Sequence, residues 1–219
     1  MWRGLNVIKV FSVSLFSMLV TLPALADEPV GKPNVHVNDI WIYNLTDGFT
    51  NDVTGKIGIR VVQIDEKEIV AKHERLDGAS NRNWLVYYDD VWNNLDNGTF
   101  RFEPSLVQVR FPASVGEEWS SEYRSINFKS GDSLACTNKT KAVSSEKITV
   151  PAGTFDTIRF DVSSECNGAG TDKTLYKSTT SIWYATAVNR YVKTTYASIF
   201  NGRVRAKSSE ELVEYSPGK

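Results

Sequence analysis

The chain of 219 residues is 41% hydrophobic and 23% charged, with 25 Lys and Arg against 26 Asp and Glu. That balance excludes a disordered chain, a collagen-like repeat and a polytopic membrane protein. A net charge of −1 also lacks the basic excess that a nucleic-acid-binding face brings.

Residues 1–26 read as a secretory leader. Arg3 and Lys9 supply the positive start, Val10 to Leu22 an apolar run, and Ala24-Leu25-Ala26 the small residues a signal peptidase needs. Cleavage after Ala26 leaves 27–219 as one domain and, with Arg3 and Lys9 gone, moves the net charge from −1 to −3. The apolar run is shorter than the roughly 20 residues that span a bilayer, and no later stretch could cross as a helix. The terminal Tyr215-Ser216-Pro217-Gly218-Lys219 lacks the closing aromatic of an outer-membrane barrel strand. The expected location is therefore the periplasm.

Period-two alternation then runs along the chain. Ile69 to Leu76 reads as a strand with His73 on the face of Ile69 and Ala71. Trp84 to Trp92, if extended, puts Trp84, Val86, Tyr88, Asp90 and Trp92 on one face. Val107, Val109 and Phe111 alternate with Gln108 and Arg110. Ile158, Phe160 and Val162 do so with Arg159 and Asp161, and Val192 and Tyr196 with Lys193 and Thr195. Such patterns mark antiparallel strands with one buried face. Turn signals punctuate them at Asp47-Gly48, Asp77-Gly78, Asp96-Asn97-Gly98, Asn167-Gly168 and Asn201-Gly202, with Asn97-Gly98 read as a two-residue hairpin. Ser208 to Tyr215 imitates a capped helix but reads better as a closing strand. The fold predicted is mainly β, with little helix: a strongly curved antiparallel sheet forming a half-barrel or an incompletely closed barrel.

Cys136 and Cys166 are the only cysteines, and export makes them a disulfide. Each lies 15 residues from Pro151, in a Val150-Pro151-Ala152-Gly153 stretch that reads as a turn. A long hairpin about that turn would oppose the two cysteines, give or take a bulge, at a separation that a disulfide spans.

Chemistry is sparse. Gly131-Asp132-Ser133-Leu134 imitates an esterase nucleophile block, but both histidines, His36 and His73, lie upstream of it, and an unassisted hydroxyl is a poor nucleophile. Two His and two disulfide-bonded Cys are too few for a zinc site, and Leu95 breaks a calcium loop in Asn93 to Gly98. The pairs Asp89-Asp90 and Glu117-Glu118 point to opposite faces if extended, so neither is a glycosidase dyad. No catalytic residue, metal or cofactor is assigned. The aromatic row Trp84, Tyr88 and Trp92 is the candidate binding surface, able to stack on sugar rings or line an apolar pocket.

Asn38-Asp39-Ile40-Trp41-Ile42-Tyr43 resembles the Gly-Asp-x-Trp-x-Tyr opening of a family of exported bacterial proteins. Arg110-Phe111-Pro112, Val115-Gly116-Glu117-Glu118-Trp119, Val150 to Phe155, Ile182-Trp183-Tyr184-Ala185, Arg190 to Lys193 and Glu211 to Tyr215 follow in order. Together they resemble the TapB-like envelope proteins of unknown function, with Asn38 in place of Gly and Thr186 in place of Pro. The resemblance implies a half-barrel similar to periplasmic carriers, with Trp41, Trp119 and Trp183 filling its concave side.

The function expected is a non-enzymatic binding or envelope-accessory protein holding an apolar or glycan ligand on a concave β face, or pairing with an envelope protein. The rivals are an envelope hydrolase using distant carboxylates such as Asp90 and Glu165, and a protein–protein module that pairs through an open sheet edge.

Overall fold

The computed structural model describes residues 28–77, 82–168 and 174–218; the expected secretory leader, 1–26, and Gly78 of the Asp77-Gly78 turn lie outside the described residues. The strands are β1 (Ile40–Asp47), β2 (Val53–Ile64), β3 (Glu68–Arg75), β4 (Asn83–Asp89), β5 (Asn94–Asp96), β6 (Phe100–Leu106), β7 (Glu118–Asn127), β8 (Ser133–Val150), β9 (Gly153–Gly168), β10 (Thr174–Ala185), β11 (Arg190–Phe200) and β12 (Arg203–Ser216). One 3-10 turn, Thr186–Val188, joins β10 to β11.

Each strand pairs antiparallel with its sequence neighbours, and β1 pairs with β12, so the meander closes into a barrel. Closure corrects the expected half-barrel. The reason lies in the even strand count: the first and last strands run in opposite directions and can form a full ladder, from Ile40↔Ser216 to Asp47↔Ser208. That ladder satisfies two rows of backbone groups that an open sheet would leave unpaired. It also removes the edge that a strand-adding partner would need.

Alternation sets inside from outside. Ile57, Ile59 and Val61 of β2 are buried, and Ile158, Phe160, Val162, Ser164 and Cys166 of β9 share one buried face. The outer surface carries ion pairs such as Lys141–Glu118 and Lys177–Glu165, both at 2.6 Å. Such a face differs from the apolar band of a lipid-facing barrel. Among the described residues no helix is long and apolar enough to cross a membrane.

The β8–β9 hairpin turns at Pro151-Ala152, with Val150 opposite Gly153 and Cys136 opposite Cys166. The disulfide forms as expected, with the Cα atoms 4.1 Å apart. A bulge between Ala142 and Ser144 absorbs one residue; without it, Cys136 would face Asn167. Asn201-Gly202 is a two-residue turn with both φ values positive, 50° and 71°, as a type I′ hairpin requires. At Asn97-Gly98 the turn shifts by one: Asn97 pairs with Phe100 across Gly98-Thr99. The Ser208 to Tyr215 stretch lies in β12, the closing strand.

Two expectations fail locally. The Val107–Phe111 alternation is not a strand. The segment between β6 and β7 packs Val109, Phe111 and Ala113 against Ala142, Phe160, Ile182 and Tyr184, so its period reflects an extended plug. Asn93, buried in the wall, stands in for a neighbouring strand: its Oδ1 accepts from Gln108 N (2.8 Å) and Val109 N (2.9 Å), and its Nδ2 donates to Val109 O (3.0 Å). Trp183 faces outward, where Arg159 and Lys193 cover its ring and its Nε1 donates to Glu146 (2.9 Å). Asn38 explains its own departure from Gly: its φ is 70°, a left-handed value Asn tolerates better than most residues.

Candidate ligand cavity

The two barrel ends differ. At one, the plug segment, the Thr186–Val188 turn and Trp41 close the interior; Trp41 is fully buried and its Nε1 donates to Val188 O (2.8 Å). At the other, the turns after β1, β5, β7 and β11 form an open rim. Between them lies a cavity of about 1620 Å³, whose wall includes Thr54, Asn83 and Phe100 near the rim and Trp92, Arg190 and Tyr191 at the closed end.

Trp84, Tyr88 and Trp92 all line this cavity, but not by simple alternation. Trp84 and Tyr88 project from β4. Trp92 lies beyond the strand in a turn that Asp89 builds: Asp89 Oδ1 accepts from Val91 N (3.0 Å) and Asn93 N (2.8 Å), and Oδ2 from Asn93 Nδ2 (3.0 Å). Burial raises the Asp89 pKa, and these donors from Asn93 and Val91 oppose the rise. Trp92 pays with a φ of 75°, a strained value for a bulky side chain. Its Nε1 donates to Asn189 O (2.8 Å), and its ring meets Tyr88 and Trp41 edge-on at 5.2 and 5.3 Å.

Beneath Trp92 lies Arg190, only 2% exposed. Its guanidinium sits 4.0 Å from the Trp92 ring, 4.8 Å from Tyr191, 5.2 Å from Tyr88 and 5.5 Å from Trp41, an aromatic cage for a cation. Nη2 donates to Tyr88 Oη (3.3 Å), while Nε and Nη1 have no hydrogen-bond partner among the described residues. Among the described residues no carboxylate pairs with it: Glu210, on the same wall, instead accepts the Tyr191 hydroxyl (2.6 Å). Burial works against the Arg190 charge, but the phenols of Tyr88, Tyr191 and Tyr43 outweigh it and the pKa rises.

Because Arg190 donates into the Tyr88 oxygen, the Tyr88 hydroxyl is free to donate to His73 Nε2 (2.9 Å). In that direction of the bond the His73 proton would sit on Nδ1. Burial, reinforced by the Arg190 charge, lowers the His73 pKa to about 3. His73 is thus a neutral wall residue rather than a base poised near neutrality.

The hydrolase pair does not gather here. Asp90 lies in the closed-end turn and pairs with Lys32, and Glu165 faces outward to Lys177, which lowers its pKa. Neither lines the cavity. Arg190 is the functional candidate that the sequence reading passed over. In the sequence it lies in the alternating phase of Val192 and Tyr196, and a charge in such a phase is the signal that could have found it.

No protein-family model and no curated protein matches the chain. Among solved structures, a Parabacteroides distasonis protein described as a lipoprotein is similar at 12% identity, with a TM-score of 0.54 over 85% of this chain and 99% of that one. A Bacteroides fragilis protein described as exported, with YmcC-like fold, is similar at 13% identity and a TM-score of 0.50, over the same shares. At these identities the likeness is one of fold: the chain folds like these two proteins, one described as a lipoprotein and one as exported.

Proposed function

We propose that this is a non-enzymatic binding protein of the periplasm that carries a ligand inside its barrel. The observation that carries the reading is the cavity of about 1620 Å³, closed at one end by aromatic rings and open at the other. Its size exceeds the few hundred to about 1000 Å³ of usual small-molecule sites, which suits an extended apolar chain or a short glycan. Trp84, Tyr88 and Trp92 would supply the stacking faces, and the guanidinium of Arg190, without an ion-paired carboxylate, favours a ligand with an acidic group at its deep end. The leader, the cystine, the TapB-like resemblance and the exported or lipoprotein character of the two similar proteins support the envelope location.

Native mass spectrometry of the purified protein after incubation with an envelope extract tests this reading. A retained lipid or glycan is expected, and it should be lost in Thr180→Trp, where a bulky ring enters the cavity. Absence of any adduct on the unsubstituted protein would overturn the carrier reading.

A further inference from the structure

The open rim has a composition of its own. The exposed phenylalanines of the described chain, Phe49, Phe128 and Phe200, are 58%, 53% and 41% exposed, and all sit on this rim. Phe49 lies in the β1–β2 turn, Phe128 in the β7–β8 turn and Phe200 at the end of β11. Val53 and Val204 flank two of these positions and are also exposed. At the closed end the exposed large apolar residues are Val37, Val62, Ile64 and Val115, with no Phe or Trp among them.

Cations accompany the rings. Arg203, Arg205 and Lys207 occupy the first turnward residues of β12, where every residue from Arg203 to Lys207 is exposed, and Lys129 follows Phe128. The acids nearby are partly engaged: Asp47 Oδ1 accepts from Phe49 N (2.7 Å) and Thr50 N (3.1 Å), and Asp77 pairs with Arg75. Among the described rim residues Arg75, Arg82, Lys129, Arg203, Arg205 and Lys207 stand against Asp47, Asp52, Asp77, Asp96 and Asp132, so the positive excess is local, on the Arg203–Lys207 stretch beside Phe200, whose ring lies 6.0 Å from the Arg205 guanidinium.

We propose that this rim docks on an anionic bilayer, with the cavity mouth facing the lipid. Rings on separate turns around an opening suit a soft surface that each tip enters independently; a protein partner would call for one continuous apolar pad. Interfacial aromatics bury apolar area at headgroup depth, and each nearby Lys or Arg adds attraction to anionic lipid. The exposed cations of β12, beside Phe200 and Val204, therefore select an anionic occupant. Docking stands on the rim alone; only the corollary that a ligand would pass between bilayer and cavity without crossing water rests on the carrier reading.

Co-sedimentation with vesicles of phosphatidylcholine, with and without phosphatidylglycerol, tests the docking. The protein should sediment with the phosphatidylglycerol vesicles, and added salt should weaken that binding. The triple variant Phe49→Ser, Phe128→Ser, Phe200→Ser should lose about tenfold or more in vesicle affinity, since each ring removes a buried apolar group. Arg203→Gln, Arg205→Gln, Lys207→Gln should lose the preference for phosphatidylglycerol. Circular dichroism and thermal melting verify that both variants fold, and single substitutions replace a triple that does not. Failure of the unsubstituted protein to bind either vesicle, or full binding by the folded Phe variant, would overturn the proposal. So would a dimer in sedimentation velocity that dissociates on losing the Phe residues, because it would give the rim to a second copy. A protein that retains an envelope ligand yet ignores vesicles would overturn docking and leave the carrier reading standing.

Discussion

The closed and open ends of the barrel are built from the same strands but solve opposite problems. At the closed end Trp41, Tyr43, Val188, Val192 and Leu212 are almost wholly buried, and Trp41 and Trp92 are pinned to backbone carbonyls. At the open end the rings face water. The first arrangement fixes the frame, and the second leaves groups unpaired that stability alone would bury. The contrast implies that substitutions at the two ends will separate stability from binding.

The largest effect should come from Trp41→Ala. It removes a fully buried ring and its hydrogen bond, which predicts a loss of about 4 kcal/mol, read as a shift in the urea midpoint. Next comes the cystine, which staples the long hairpin toward the open end. Cys136→Ser with Cys166→Ser should cost about 3 kcal/mol in the chain-entropy model, measured by thermal melting without reductant.

A smaller effect sharpens the closed-end picture through pH. His73 titrates near 6.5 when unfolded and near 3 when folded, so protons bind the unfolded state first as pH falls. Stability is fully present above about pH 6.5 and drains away as pH falls toward 3, with about 2 kcal/mol gone by pH 5. Urea unfolding at pH 7 and pH 5 should show that slope, and His73→Phe should flatten it. The smallest change is expected at the rim: Phe128→Ser should alter unfolding free energy by less than about 0.5 kcal/mol. A loss comparable to that of Trp41→Ala would break the contrast.

What the sequence disclosed follows the range of the interactions. The cystine hairpin was legible because its turn and its two sulfurs are tied by spacing along one stretch of chain. The β strands were legible from alternation at Ile158–Val162 and Val192–Tyr196. Closure was not, because β1 and β12 meet across the whole fold and nothing local in either says whether its outer edge is paired. The 107–111 alternation misled for a related reason: an extended segment lying on a barrel's inner wall buries every second residue just as a strand does. Trp84, Tyr88 and Trp92 do share the cavity, although Trp92 reaches it through the turn that Asp89 holds. Arg190 escaped because a lone cation in an inward phase reads as a surface residue until its ring of aromatics is assembled.

The single bulged residue at Val143 gives oxidation a proofreading role. A hairpin zipped from Pro151-Ala152 with no bulge would bring Asn167 to Cys136 and send the two sulfurs to opposite sides of the sheet. Only chains that have absorbed the extra residue can close the cystine, so its oxidation would lock in molecules whose inward and outward faces are already correctly sorted.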